Sequence, residues 1–163
     1  MMDRIWFLLP ELIMLTGAVV CAVSGLSRDV GVRRALPGIA IITLILAYAA
    51  SGFVYEMPSD EASVGDAAAV FPWLARMMIP IASVVGVVLV LVQSGFVDRS
   101  YEDAVAAGRL QFDPLRSNRG EFWSFFLLSL GGLMLTSSAS DLIWLFLALE
   151  LTSLPTYVMV AIG

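Results

Sequence analysis

The chain contains no histidine and no lysine, and its one cysteine is Cys21. Without histidine, imidazole-based triads and proton shuttles are excluded. Haem, iron–sulfur and structural zinc sites have almost no ligands to draw on, so no metal site is expected. A single cysteine forbids an internal disulfide and says nothing about redox compartment. Charge is scarce as well: 14% of residues are charged and 60% hydrophobic, where soluble domains average about 25% and about 45–50%. That balance excludes an ordinary soluble domain. The basic residues are nine arginines against 14 Asp and Glu, and the net charge of −5 argues against nucleic acid as a partner.

What is present is apolar sequence in long runs. Five stretches, 5–26, 35–55, 77–97, 122–140 and 142–163, each have the roughly 20 residues that a helix needs to cross a hydrocarbon core of about 30 Å. Of all the charged residues only Glu11 and Glu150 fall inside them. An unpaired charge in lipid costs at least about 2.5–3.5 kcal/mol, so this partition predicts a polytopic membrane protein. Helices are required because each segment must satisfy its own backbone polar groups, and the runs lack the alternation of barrel strands. The expected fold is all-α: one membrane domain over 1–163 with five transmembrane helices, lipid around it, and a cytoplasmic loop at 98–121.

The first segment reads as a retained helix and not as a signal peptide. Asp3 and Arg4 cancel, Glu11 interrupts the apolar region, and Val20 before Cys21 is too large for lipoprotein-type cleavage. Arginine sets the orientation. Arg28, Arg33 and Arg34 lie between segments one and two; Arg99, Arg109, Arg116 and Arg119 lie between three and four. The second connection is acidic (Glu56, Asp60, Glu61, Asp66), with Arg76 only at its edge, and the fourth has no arginine. The N-terminus is therefore expected outside and the end of the fifth helix in the cytoplasm. Trp6, Trp73, Trp123 and Trp144 lie near segment ends, where the headgroup region favours an amphipathic ring. Within the polar stretch, 100–108 has the character of a short surface helix, and Asp113-Pro114 and Asn118-Arg119-Gly120 read as turns. This stretch is either a solvated loop or a docking surface.

Chemistry concentrates in the fifth segment. Asp141 is the expected N-cap, and Glu150 follows nine residues on. At 1.5 Å per residue that is roughly 13–14 Å in, near mid-membrane. Ser153 and Tyr157 follow at i+3 and i+7, forming a narrow polar stripe, and Pro155 removes the hydrogen bond to the Leu151 carbonyl. Two readings stay open: a step on a proton or ion pathway, or a neutral acid bonded to a neighbouring helix as structural glue. Glu11, just behind Pro10, is a supporting candidate expected to snorkel towards water at the outer face. Gly131, Gly132 and Thr136 permit close helix approach, a packing signal. No Gly-rich dinucleotide loop is present.

These residues resemble a known family. The strings GEFWSFFLLSLGGLML (120–135), SASDL (138–142) and FLALELTSLPTYV (146–158), with LPEL at 9–12, are similar to the N-terminal part of subunit N of proton-pumping NADH:quinone oxidoreductase, respiratory complex I. The resemblance is specific over 120–163 and architectural before it. Subunits L and M and cation/proton antiporter subunits carry a glutamate at the same helix, but the ELTSLPTY context is closest to subunit N. The resemblance implies an antiporter-like subunit fold in an inner (plasma) membrane. It implies a role for Glu150 in proton translocation coupled to electron transfer from NADH to quinone; Ser153, Pro155, Tyr157 and Glu11 are supporting candidates from the residue reading above.

The resemblance also implies cofactors and partners outside this chain. NAD, FMN, iron–sulfur clusters and quinone belong to the parent complex, and this chain is expected to bind none of them. Other membrane subunits of complex I are the expected partners. The family pairs the Glu150 position with a lysine on a later helix, whereas this sequence has no lysine. The chain is therefore read as the N-terminal part of a subunit N-like protein, truncated or split. A second polypeptide would supply the missing helices and lysines. A structural or assembly scaffold, a degenerate remnant without ion transport, and a fragment of a cation/proton antiporter subunit are the alternatives.

Overall fold

The structure, a computed structural model, describes residues 8–27, 29–56, 72–95, 99–110, 119–139 and 141–162. Every regular element among them is helical, with no strand. In chain order they are α1 (Leu9–Gly25), α2 (Val30–Arg34), α3 (Leu36–Glu56), α4 (Pro72–Gln93), α5 (Arg99–Ala106), α6 (Arg119–Ser137) and α7 (Leu142–Ile162). The residues Trp6, Arg28, Asp60, Glu61, Asp66 and Asp113-Pro114, used above for orientation and turns, lie outside the described residues, as does the Trp73 ring.

Local chemistry accounts for the helix ends. Pro10 sits in the first turn of α1, where its missing amide proton costs nothing, and Glu11 beside it favours the positive end of the helix dipole. The Asp29 carboxylate accepts from the Gly31 amide at 2.8 Å and starts α2. Arg33 in its last turn is fully buried and donates to the Ser27 carbonyl at 2.8 Å. The 27–34 connection is thus folded down by its own side chains. Gly108, at φ 69°, ends α5 in the left-handed region that suits glycine.

Some boundaries differ from the sequence expectation. The third apolar segment was expected at 77–97; α4 runs instead from Pro72 to Gln93, because proline is well tolerated at a helix start and extends the helix upstream through Arg76. Likewise α6 begins at Arg119 and takes Glu121 into its first turn, so 119–121 belongs to a helix and not to the 98–121 loop. Three helical stretches, 36–54, 74–93 and 142–162, are long and apolar enough to cross a membrane by length and composition. α1 is shorter, at 17 residues. α6 is diluted by Glu121, Trp123 and its serines.

The packing inverts the arrangement of a water-soluble protein. Small residues fill much of the interior: Gly17, Ala18, Ala40, Ala47, Ala75, Ala82 and Ala148 are buried. Large ones such as Val23, Ile42, Phe53, Leu91, Leu142 and Val160 face outward, the last at 79% exposure. In lipid no hydrophobic force drives apolar side chains inward, and close backbone approach is what gains contact. α1, α3, α4 and α6 share the core around Met14, Leu44, Ile79, Leu127 and Met134. Hydroxyls inside follow the same logic: Thr43, Ser83 and Ser137 each donate to a carbonyl in their own helix, which satisfies them without water.

α1 and α6 run antiparallel along their length. At one end Gly25 lies backbone to backbone against Gly120, where neither position has room for a Cβ. At the other end Ser138, just past α6, meets Glu11. Beside the Gly25–Gly120 crossing, Trp123 is fully buried, with Phe122 and Phe126 edge-on at 5.4 and 5.8 Å. The Trp123 ring thus fills the core next to the tight crossing, near the end of α6 where the sequence reading put it. α7 stands at the edge, laid on α6, and buries only Ala148 and Pro155.

Candidate functional site

α7 starts as its sequence dictates. The Asp141 carboxylate accepts from the Trp144 amide at 2.7 Å, and its carbonyl accepts from the Leu145 amide at 2.9 Å. This is an N-cap. Glu150 then lies roughly 13–14 Å along the helix axis.

Glu150 is half-buried, and among the described residues its carboxyl makes no hydrogen bond or ion pair. Ser153 donates at 3.4 Å to the backbone carbonyl of Glu150, not to its carboxyl. Tyr157 is 70% exposed and is not brought into hydrogen bonding with Glu150. Pro155, expected to free the Leu151 carbonyl, is buried inside α7. The spacing 150/153/157 therefore places three groups on one side of α7 without joining them into a network.

The contact that holds α7 lies on a neighbouring face. Gly132 of α6 sits where an added Cβ would meet Thr152 Oγ1 at 2.6 Å and the Thr152 amide nitrogen at 2.7 Å. Through that gap Ser129 donates to the Thr152 carbonyl at 3.1 Å and approaches the Thr156 hydroxyl at 3.1 Å. Thr156 also donates to the Thr152 carbonyl, at 2.8 Å. Every other hydroxyl bond described in α3, α4 and α6 stays within its helix, so this bridge and the Gly132 approach together hold the Thr152 face of α7 against α6. They fix where Glu150 points relative to the bundle.

Glu11 is not where snorkelling would put it. The side chain is 2% exposed. Its Oε1 accepts from Ser138 at 2.8 Å, while Oε2 is buried with no hydrogen-bond partner among the described residues. The reason is geometric: Pro10 starts α1 against the end of α6, so the carboxyl enters that junction instead of reaching past it.

Comparison with known proteins adds one local likeness. The chain is 52% identical over 44 residues to NADH-quinone oxidoreductase subunit N of Anoxybacillus flavithermus (strain DSM 21510 / WK1). That match covers 27% of this chain and 9% of the relative, so the chain spans only a small part of the protein it matches. No family model matches, and no solved structure matches.

Sequence reasoning missed two features of this region. The Ser129–Thr152–Thr156 bridge had a usable signal, since Thr152 and Thr156 stand at i and i+4 opposite a helix carrying Gly131-Gly132. The Glu11–Ser138 contact joins residues 127 apart, and no local pattern announces it.

Proposed function

We propose that the chain is a membrane subunit of an NADH:quinone oxidoreductase, similar to subunit N, with Glu150 on a route for protons. The observation that carries this reading is the 52% identity over 44 residues with a subunit of that name. Supporting it, Glu150 is a half-buried carboxyl on a helix long and apolar enough to cross a membrane.

In this reading five helices cross. α1 and α6 join α3, α4 and α7 because they lie alongside one another in full antiparallel contact; at 17 and 19 residues they reach about 26 and 28 Å. The N-terminus faces outward and α7 ends in the cytoplasm of an inner (plasma) membrane. The redox cofactors and quinone reside on other subunits, and a further polypeptide brings the helices and lysines that complete the path. Ser153 and Tyr157 lie on the Glu150 side of α7 without bonding its carboxyl, so in this reading they and Pro155 support the path only once the further polypeptide completes it.

The test begins with purification from native membranes and identification of what travels with the chain. Complex I subunits are the expected companions. In the assembled complex, Glu150→Gln keeps size and removes the titratable proton. Proton pumping should then fall by about 100-fold or more, the scale of losing a proton-transferring group, while Glu150→Asp retains more. An assembled Glu150→Gln complex that pumps normally would return the residue to structural glue and the chain to a scaffold.

A further inference from the structure

We propose that Glu11 and Ser138 form a second, separate proton-binding site at the α1–α6 junction, with the proton held on Glu11 Oε2. The geometry comes first. The carboxyl is 2% exposed, its Oε1 accepts from the Ser138 hydroxyl at 2.8 Å, and its Oε2 is buried without a partner among the described residues. Oε2 lacks a partner in either protonation state, and a neutral acid leaves only an unpaired O–H there where an ionised group leaves an unpaired charge. An ionised carboxylate with a bare buried oxygen would be far costlier to hold than the acid.

No cationic side chain is described near this carboxyl; what favours its charge is limited to the Ser138 hydroxyl and the amino end of α1. Of the elements packed on α1, α2 carries Arg33 and Arg34 and α6 carries Arg119 and Glu121, all near the Gly25–Gly120 crossing. That crossing is 14 residues from Glu11, about 21 Å along α1. α3 ends in Glu56, and α7 brings Asp141 and Glu150, none of which supplies positive charge. Asp3 and Arg4 lie outside the described residues. One carboxyl and one hydroxyl are also too few oxygens to cage a hard metal cation, which takes six or more, whereas a proton needs one.

This site is independent of Glu150: it stands if Glu150 carries no protons, and its readout is assigned residue by residue. The chain, purified with its companions into lipid vesicles, is compared by difference infrared spectroscopy with Glu11→Gln at pH 7. The expected result is loss of a protonated-carboxyl band, and an upward shift of the same band in Ser138→Ala as its hydrogen bond is removed. Loss confined to ionised carboxylate bands overturns the proposal, including any pairing with Arg4.

A second measurement needs no variant. Dicyclohexylcarbodiimide adds to protonated carboxyls: the acid proton moves to a carbodiimide nitrogen as the carboxyl oxygen bonds the central carbon, and nothing leaves. An ordinary glutamate is protonated in only about one molecule in 500 at pH 7. Peptide mass spectrometry should therefore find Glu11 modified faster than exposed Glu121. Equal rates at the two positions, or slowing of Glu11 modification by sodium at fixed pH, would overturn the assignment of a proton site.

Discussion

Gly132→Ala tests whether close approach of α6 and α7 holds the Glu150 helix. An alanine Cβ would lie 2.6 Å from Thr152 Oγ1, 2.7 Å from the Thr152 nitrogen and 2.8 Å from the Leu151 carbonyl carbon. Ordinary contact is about 3.5–4.0 Å. The hydroxyl can turn aside by abandoning its bond to the Ala148 carbonyl, now 3.0 Å; the nitrogen and carbon are backbone and cannot. α7 must therefore retreat by roughly 0.7–1 Å, which stretches the 3.1 Å bond from Ser129 to the Thr152 carbonyl out of range. Overpacking costs about 1–3 kcal/mol, and an interhelical hydrogen bond in a membrane is worth about 0.6 kcal/mol. Alanine returns about 0.8–1 kcal/mol of helix propensity. The net is about 0.6–2.8 kcal/mol of destabilisation, or about 3- to 110-fold in the docking equilibrium. Gly38→Ala is the control, since a Cβ there meets nothing within 4 Å, and it should be neutral or stabilise by up to about 1 kcal/mol. Both are measured by SDS titration of the chain in lipid–detergent micelles, following helix content and Trp144 emission. If Gly132→Ala unfolds at the same SDS fraction as Gly38→Ala, or a higher one, the close-packing argument fails.

Three further outcomes follow from single contacts. Asp141→Ala removes the acceptor of the 2.7 Å bond from the Trp144 amide, and should cost about 1 kcal/mol with faster hydrogen exchange confined to the first turn of α7. Asp103→Asn breaks the 3.6 Å pair with Arg34, but both side chains are more than half exposed, at 60% and 55%; stability should change by under about 1 kcal/mol, and a larger loss in the same SDS titration would mean that this pair anchors α5. For orientation, cysteines placed at Asp60 and Arg109 in a Cys21→Ser background should react with an impermeant thiol reagent from opposite sides. Reaction of both from outside sinks the five-crossing topology or its direction.

The sequence by itself determined the helical, membrane-directed character of this chain, because hydropathy over about 20 residues is a local sum that needs no partner. It also located the cap of α7, since Asp141 acts on an amide three residues away, and it singled out Glu11 and Glu150 by rarity; the Asp29 cap went unread. Which face of each helix turns inward was beyond its reach. In a helix apolar all round, the inner side is chosen by where small residues let backbones meet, and that depends on the neighbour as much as on the helix. So only the tertiary structure decided that Trp123 is core, that Ser129 reaches Thr152 past Gly132, and that Ser153 and Tyr157 leave the Glu150 carboxyl unbonded. It also decided that Glu11 is buried against Ser138 instead of reaching water. Burial of a lone carboxyl is a property of the junction between two helix ends, and those ends come from opposite parts of the chain.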